Sequence, residues 1–530
     1  MKMTAELKFK AFIKRTGLEE KPFQSECFQW CLERERANTN VSSTSVSSTS
    51  TSVSSTGGIL ALEMGLGKTI IMLALIECHF KFHTLIVVPL SLLNQWEEII
   101  KKIFHHQPLV YHGTRPKNMK LSLQDIRDNW PIVLTTYGQI ALPSDKQANK
   151  IKGGKKKSLL HEIQWDRLIC DEGHHVSHKN TNEFKGIQAL QKQICWLVTG
   201  TPIQNSEKEL FTLLGLLGLQ ATSHYYKDSE NYEDAVKTWV YHQTKVGAQI
   251  ILPPLHEHME IVQWANESER HFSSHIHSLL SFCNVPREAI AQAISLAEDP
   301  RSIRMKYLTK ARQVCIYPPM LRESMRYYAE IEGAEIEGAE IDFTELYVSK
   351  SKIKAVVQTL LAHKDNGCGK IVFCHYYAEI DAIEKYLNVS AAQSVSAAQS
   401  ASTAIKKIKI IKFDGRVPPS QRHAALNEPA DILLAQIKMC REGLNLQEHY
   451  SEVYFPSPDF NPAMEDQAIA RCWRIGQTQP VHVFRYMMVE PIAQTAAQPV
   501  QTAYSMDSYS VHLQLKKRKL INRMEEAAMS

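Results

Sequence analysis

Residues 57–76, GGILALEMGLGKTIIMLALI, constrain this chain more than any other stretch. A short β-favouring run enters a glycine-rich turn, and an apolar helical segment follows directly after Lys68-Thr69. That order is what a phosphate-binding loop requires. Gly65 and Gly67, with Leu66 between them, let backbone N–H groups converge on phosphate. Lys68 neutralises the β/γ oxygens, and the Thr69 hydroxyl binds Mg²⁺. The strict eight-residue consensus would place glycine at 62, where this chain has Leu62. A bare GKT is therefore a weak signal, and the strand–turn–helix context is what gives it force.

About a hundred residues further on comes WDRLICDEGHHVSHKNT, a hydrophobic run ending in Asp171-Glu172. Two adjacent carboxylates at the C-terminal edge of a sheet suit a nucleotide hydrolase. Asp171 can hold the water shell of Mg²⁺, and Glu172 can orient and deprotonate the attacking water. The plain alternative is an acidic turn at a strand end, common in isolation but disfavoured downstream of a phosphate loop. His174, His175 and His178 invite a metal reading. A helix-start histidine at 174 coupling ATP to a neighbouring lobe fits better, with His175 and His178 simply solvated.

Nine short apolar runs read as buried strands: 58–61, 84–88, 132–135, 167–170, 195–199, 370–374, 408–413, 431–435 and 452–455. Short strands flanked by helical periodicity indicate α/β layers with parallel sheets. The runs fall before residue 200 and after residue 370, with a stretch richer in His and charge between them. The expected fold is two α/β lobes, 1–205 and 351–530, joined by a mainly helical region over 206–350. Four low-complexity tracts, 40–56 (Ser/Thr/Val), 331–342 (EGAEI repeats), 389–404 (VSAAQS repeats) and 493–503 (Ala/Gln/Thr), are expected to be mobile surface loops.

Composition excludes several classes. With 530 residues, 44% apolar and 22% charged, the chain is globular rather than fibrous or disordered. No apolar run reaches the roughly 18 residues of a membrane span, and the charged N-terminus MKMTAELKFKAFIKR lacks a signal peptide's apolar core. Eleven cysteines, without a C-x-x-C pair, indicate reduced thiols in a reducing compartment rather than a disulfide framework. His271, His275, His277 and Cys283 could be drawn as a zinc site, but a polar helical stretch without a paired-Cys knuckle argues against it. A net charge of +5 is too mild to show nucleic-acid binding on its own.

The motifs then assemble into a family pattern. DEGH resembles the DEAH box of superfamily 2 helicases. KPFQSECFQWCL (21–32) resembles the adenine-reading segment, with Gln24 the candidate base contact. LIVVPLSLLNQW (85–96) and IVLTTYGQI (132–140) resemble the DNA-tracking motifs of the first lobe, and CWLVTGTPIQN (195–205) resembles the coupling motif. IVFCHYYAEIDAIEKYL, FDGRVPPSQR and the string from Gln436 to Gln477 resemble the second lobe. Together they mark a resemblance to the Swi/Snf family of DNA-dependent ATPases, running from about residue 18 to 521. CIYPPML and QIKMCREGLNL resemble its Rad-type repair branch.

That resemblance implies two RecA-like lobes, ATP and Mg²⁺ as cofactors, and double-stranded DNA as partner. Gly65, Gly67, Lys68 and Thr69 would grip the triphosphate and metal, with Asp171 in the metal role and Glu172 the base. Arg471 and Arg474 would act across the cleft as arginine fingers, and Gly443 and Gln467 would shape that interface. His174, Thr199, Thr201, Gln467 and Gln477 would couple the lobes. Ser91, Thr135, Thr136 and Lys438 are the candidate phosphate contacts, because tracking uses backbone amides and hydroxyls more than net charge. The basic strings 155–157 and 516–519 are a DNA-facing loop and a nuclear signal, or solvated faces. The expected location is the nucleus, or a viral replication compartment should the repeats mark a rapidly drifting viral genome.

The chain departs from the family pattern in four places. Leu62 replaces the usual aspartate before Glu-Met-Gly, and Trp473 replaces histidine between the two arginines. Asp459-Phe460 stands where paired tryptophans are common. Tyr241-His242-Gln243-Thr244-Lys245 lacks both arginines of the Arg-Arg-x-Lys segment. The absence of C-x-x-C implies no zinc-binding ubiquitin-ligase finger. The expected function is an ATP-dependent double-stranded-DNA translocase that remodels nucleosomes or other protein–DNA complexes. Its rivals are a strand-separating helicase on DNA or RNA and a non-catalytic DNA-binding scaffold.

Overall fold

A computed structural model describes residues 4–37, 56–113, 121–142, 158–219, 228–278, 300–322, 335–336, 339–340, 344, 348, 350–397, 408–418, 421, 428–439, 444–488 and 505–529. The chain divides into two compact units, 1–251 with 517–530, and 252–516.

The first unit is built on seven parallel strands. These are β1 (Thr56–Leu62), β2 (Thr84–Val88), β3 (Leu109–Tyr111), β4 (Ile132–Thr136), β5 (Gln164–Asp171), β6 (Gln191–Thr199) and β7 (Val240–Gln243), in the order β3-β4-β2-β5-β6-β1-β7. Every pairing is parallel. The central strands are buried on both faces, which is why they read as unbroken apolar runs rather than alternating ones. Helices α1 (Ala5–Thr16), α2 (Pro22–Ala37), α3 (Lys68–Cys78) and α4 (Leu93–Phe104) pack one core, around Phe9, Phe28, Met72 and Trp96. The second core holds Phe184, Leu210, Tyr232 and Val236 together with Met524 and Ala527.

A buried ion pair ties α2 to the sheet. Glu35 on α2 and Arg167 on β5 are both sealed from solvent, with Arg167 Nε and Nη2 donating to the Glu35 carboxylate at 2.7 and 2.6 Å. Trp196 Nε1 on β6 donates to the same carboxylate at 2.9 Å, and His79 Nδ1 lies 2.6 Å from it. Removing one partner of such a pair strands the other charge and costs about 3–5 kcal/mol.

The second unit carries β8 (Leu255–Val262), β9 (Glu335–Ile336), β10 (Ala339–Glu340), β11 (Gly369–Cys374), β12 (Ile410–Phe413), β13 (Ile432–Gln436), β14 (Tyr450–Phe455) and β15 (Val481–Met488). Six form a parallel sheet in the order β12-β13-β11-β14-β15-β8. Cores on its two faces centre on Phe272, Val356 and Tyr454, and on Phe373, Val453 and Val483. Two parallel sheets flanked by helices match the expected pair of RecA-like lobes.

The expected grouping of strands before 200 and after 370 leaves out β7 and β8, which lie between. β7 extends the first sheet and β8 the second, so residues 206–350 are shared between the units. The tract 389–404 was expected as a loop; instead the helix Tyr377–Ala397 runs through its first half. Ile380, Ile383 and Leu387 anchor that helix in the core, and Ala and Gln, strong helix formers, let it propagate. Within 331–342, the short strands β9 and β10 pair antiparallel. Tract 493–503 lies outside the described residues, as does 40–56 apart from Thr56 at the start of β1.

Candidate active site

The C-terminal edge of the first sheet gathers the chemistry. β1 ends at Leu62, and Gly65 (φ 90°) and Gly67 (φ 84°) then turn in the left-handed region where a side chain would be strained. Helix α3 begins at Lys68 with Gly67 as its N-cap and no side-chain cap, the kind of helix start that can turn backbone amides toward an anion. Lys68 Nζ donates to the Leu62 carbonyl at 2.9 Å, folded back over the loop it would serve. A Cβ on Gly200, just beyond β6, would sit 3.3 Å from that Nζ, so the bare backbone there leaves the lysine its space.

Gln24 reaches this loop from α2. Its Nε2 donates to the Leu66 carbonyl at 3.1 Å, and a Cβ on Gly67 would come within 2.5 Å of the same atom. Gln24, Leu66, Gly67 and Lys68, predicted from separate motifs, thus meet. Thr69 stands half-buried in the first turn of α3.

Asp171 ends β5 and Glu172 follows in a left-handed conformation (φ 50°), a costly backbone for a non-glycine residue. Both are buried. Asp171 Oδ2 accepts from Trp96 Nε1 at 2.7 Å, Oδ1 accepts from the Glu172 amide at 3.0 Å, and the Asp171 carbonyl accepts from Tyr137 Oη at 2.6 Å. Burial, then the neighbouring Glu172 charge, push the Asp171 carboxyl up to about 6, against the pull of Trp96 and the Lys68 ammonium. A buried carboxylate pair beside one lysine is short of positive charge, and its donors, with Thr69, are hard oxygens of the kind Mg²⁺ prefers. Trp96 and Tyr137 sit within quoted motifs, yet sequence reasoning gave neither a role. Each resembles a core aromatic until the fold brings its polar tip to Asp171.

A chain of polar contacts runs from Glu172 toward the end of β6. His174 Nδ1 lies 3.3 Å from Glu172 Oε2 and 3.4 Å from Thr199 Oγ1. Thr199 Oγ1 accepts from the Thr201 amide at 3.1 Å, and Thr201 Oγ1 from Gln204 Nε2 at 3.3 Å. Buried Glu209 closes the loop by accepting from the amides of Gln204 and Asn205 at 2.6 and 2.9 Å. His174, Thr199 and Thr201, the three predicted coupling residues of this unit, therefore form one continuous network. His175 is not solvated as expected, but stacks between His174 and Tyr137 at 4.8 and 5.2 Å.

The candidate phosphate contacts separate. Ser91, on a single turn after β2, and Lys438, on a turn after β13, are exposed. Thr135 is fully buried and donates to the Tyr111 carbonyl at 2.8 Å. Thr136 is buried, with Oγ1 3.4 Å from His112 Nδ1. The Thr135 hydroxyl is thus engaged within the sheet, while the Thr136 hydroxyl lies beside the His112 ring at the strand end.

In the second unit, the helix Pro462–Ile469 carries buried Gln467, and Arg471 and Arg474 follow it. Arg474 Nη1 donates to Asn445 Oδ1 at 2.6 Å, and burial lowers its pKa. Gln477 donates to the carbonyls of Tyr450 and Cys472 at 3.2 Å each and accepts from the amides of Thr478 and Gln479 at 2.9 Å. Those four bonds brace the turn into β15, so Gln477 is better read as a structural residue than a coupling one. Trp473, in the place of histidine, donates to the Pro253 carbonyl at 2.8 Å. Gly443 lies outside the described residues, as does Cys283. His277 Nε2 accepts from the Met506 amide at 2.9 Å, and no group of three or more His, Cys, Asp or Glu among the described residues is disposed to hold a metal ion. Among those residues, no helix is long and apolar enough to cross a membrane.

Comparison with known proteins places this geometry. Residues 23–315 match the SNF2-related domain and residues 351–476 the helicase conserved C-terminal domain. The chain is 24% identical over 497 residues to the ATP-dependent DNA helicase DDM1 of Arabidopsis thaliana, covering 86% of this chain and 58% of that protein. It is 25% identical over 616 residues to the DNA repair protein RAD5 of Candida glabrata, covering 82% of this chain and 52% of that one. A probable global transactivator of Orgyia pseudotsugata multicapsid polyhedrosis virus is 25% identical over 458 residues, covering 82% of each chain. The chain thus spans between half and three-fifths of the length of DDM1 and RAD5. The solved SWI2/SNF2 ATPase core of Sulfolobus solfataricus in complex with dsDNA aligns at 20% identity and a TM-score of 0.37, over 89% of this chain and 88% of that one. The SNF2-related domain match, which covers more than half of the chain and contains both the Gly65–Thr69 turn and the buried Asp171-Glu172 pair, makes this protein a member of the SNF2 family of helicase-like ATPases.

Proposed function

We propose that this protein is an ATP-dependent double-stranded-DNA translocase of the Swi/Snf type. The observation that carries the reading is the buried Asp171-Glu172 pair at the end of β5, within the electrostatic reach of Lys68. In this reading, the amides of the Gly65–Thr69 loop and the Lys68 ammonium bind the triphosphate, and Gln24 contacts the base. Thr69 and Asp171 would hold Mg²⁺, which would supply charge neutralisation for the phosphoryl oxygens. Glu172 orients the attacking water and takes its proton. Arg471 and Arg474 supply guanidinium groups to the charge that builds on the transferred phosphoryl group, so hydrolysis depends on the second unit. Ser91 and Lys438 contact DNA phosphate.

The names of DDM1 and RAD5, an ATP-dependent DNA helicase and a DNA repair protein, support action on DNA; the reading extends this to DNA-bound complexes such as nucleosomes, in a nuclear or viral compartment. Glu172→Gln tests the assignment. The variant should bind ATP and plasmid DNA with near-normal affinity yet release phosphate at least about a hundredfold more slowly, because general-base catalysis contributes on the order of 10²–10⁴. Phosphate release at the wild-type rate would remove Glu172 from the role. A strand-separating helicase, the second reading that DDM1's name keeps open, would displace a duplex strand where a translocase displaces only a bound third strand.

A further inference from the structure

The phosphate loop is gripped from the far edge of the sheet. Edge strand β7 pairs with β1 in parallel, Leu62 opposite Gln243, and the ladder continues with the Glu63 amide donating to the Gln243 carbonyl at 2.9 Å. Two residues on, the Lys245 amide donates to Glu63 Oε2 at 2.7 Å, and Lys245 Nζ lies 2.9 Å from Glu63 Oε1. Glu63 is thereby held at its amide and at both carboxylate oxygens. Its carbonyl accepts from the Leu66 amide at 3.3 Å and so starts the loop turn itself. Glu63 also directly follows Leu62, whose carbonyl receives Lys68 Nζ.

Lys245 is only 4% exposed, whereas Glu63 keeps about a third of its surface. A lysine is seldom buried without an anion to answer it. The tight turn that buries it is itself well made: Ala248 N donates to Thr244 O at 2.9 Å and Ile250 N to Lys245 O at 3.0 Å. This is a designed-in contact between a strand edge and the first residue of the loop, where conformational freedom would smear the convergence of amides that phosphate needs.

We infer that Glu63 and Lys245 are positioning residues that pre-form the phosphate loop and thereby set its affinity for nucleoside triphosphate. The inference rests on the reading of residues 65–69 as the triphosphate site. Neither side chain touches the reacting atoms. Loss of the clamp therefore weakens nucleotide binding while leaving the rate of the bound state nearly unchanged.

The test uses the full chain as wild type, Lys68→Ala, Glu63→Ala, Lys245→Met and the Glu63→Ala/Lys245→Met double variant. Equilibrium binding of a fluorescent ATP analogue and plasmid-stimulated phosphate release are both measured. Each clamp single should raise Kd and KM about tenfold with kcat within about threefold, and the double should be no weaker than the weaker single, as for two residues acting as one unit. Glu63→Ala leaves the buried Lys245 ammonium without its anion, so a melting curve is taken for each variant, and the double variant, which strands neither charge, decides the matter should either single melt. Glu63→Ala binding within twofold of wild type, while Lys68→Ala loses binding, would overturn the clamp, as would fully additive losses. Failure of the wild type itself to bind the analogue would instead overturn the triphosphate site.

Discussion

The Trp96 indole donates its Nε1–H to Oδ2 of Asp171 at 2.7 Å, across 75 residues of sequence. Trp96 comes from the first turns of α4 and Asp171 from the end of β5, two elements joined through the strand β2 that pairs with β5. The bond holds one carboxylate oxygen in a fixed direction and partly offsets the push that burial and Glu172 exert on the Asp171 carboxyl.

Trp96→Phe keeps an aromatic ring in the core and deletes the donor. A hydrogen bond to a charged group contributes about 1.5–3 kcal/mol, so DNA-stimulated kcat should fall about tenfold or more, with nucleotide affinity close to normal. Stopped assays at saturating ATP, alongside a melting curve to score lost packing, check it. A variant with wild-type kcat would show that the bond only fastens α4.

Arg474→Ala should separate binding from chemistry in the other unit. The residue's visible contact is to Asn445, and an arginine finger acts on the transition state. Hydrolysis should drop by on the order of 10³ or more, with ATP affinity within about twofold. Lost affinity at an unchanged rate would instead place Arg474 in ground-state binding.

Much of this was legible in the sequence. The nine apolar runs are all strands, because a parallel strand covered on both faces must be apolar along its length. The strands outside those runs are short edge pieces such as β3 and β7, and the eight-residue β8 and β15, whose apolar positions are broken by His, Glu or Arg. β8, LHEHMEIV, alternates histidine and glutamate at an edge, and only its ladder with β15 makes it a strand. At the candidate site, Gln24, the glycine-rich loop and Asp171-Glu172 stand out in the sequence because each lies in a short motif with its own local pattern. Trp96, Tyr137 and Glu209 were not, since their value lies in a partner that only tertiary packing supplies. The buried Thr135 shows the converse: a hydroxyl at a strand end looks available until the Tyr111 carbonyl is seen to accept from it.

Two buried groups in the second unit give stability a pH signature. Burial pushes the Glu379 carboxyl up from its ordinary 4.5 to about 7, although the amides of His375 and Tyr376 donate to it. Between those values the folded state holds more protons than the unfolded one, so this contribution to stability is lost as pH rises through 7. Burial and the Arg312 charge hold His375 well below its ordinary 6.5, so its contribution has the opposite slope and is gained as pH rises to 6.5. Glu379→Gln, which mimics the protonated form, should be more stable than wild type at pH 8 by up to about 3 kcal/mol, with the gain vanishing near pH 4.5. Urea midpoints from pH 4.5 to 8 read it directly. A gain independent of pH would mean that Glu379 is not titrating in the fold.

The measurement that bears most directly on a duplex-translocating ATPase is the rate of phosphate release against duplex length, with matched single-stranded DNA and RNA alongside. Hydrolysis should be slow without nucleic acid, rise sharply with duplex DNA, and rise further as the duplex outgrows the protein's footprint, since a motor that walks spends ATP along the track. The stimulation should weaken steeply with added salt as phosphate contacts release counterions. Equal stimulation by RNA, or a rate indifferent to duplex length, would contradict the account and favour a strand-separating helicase.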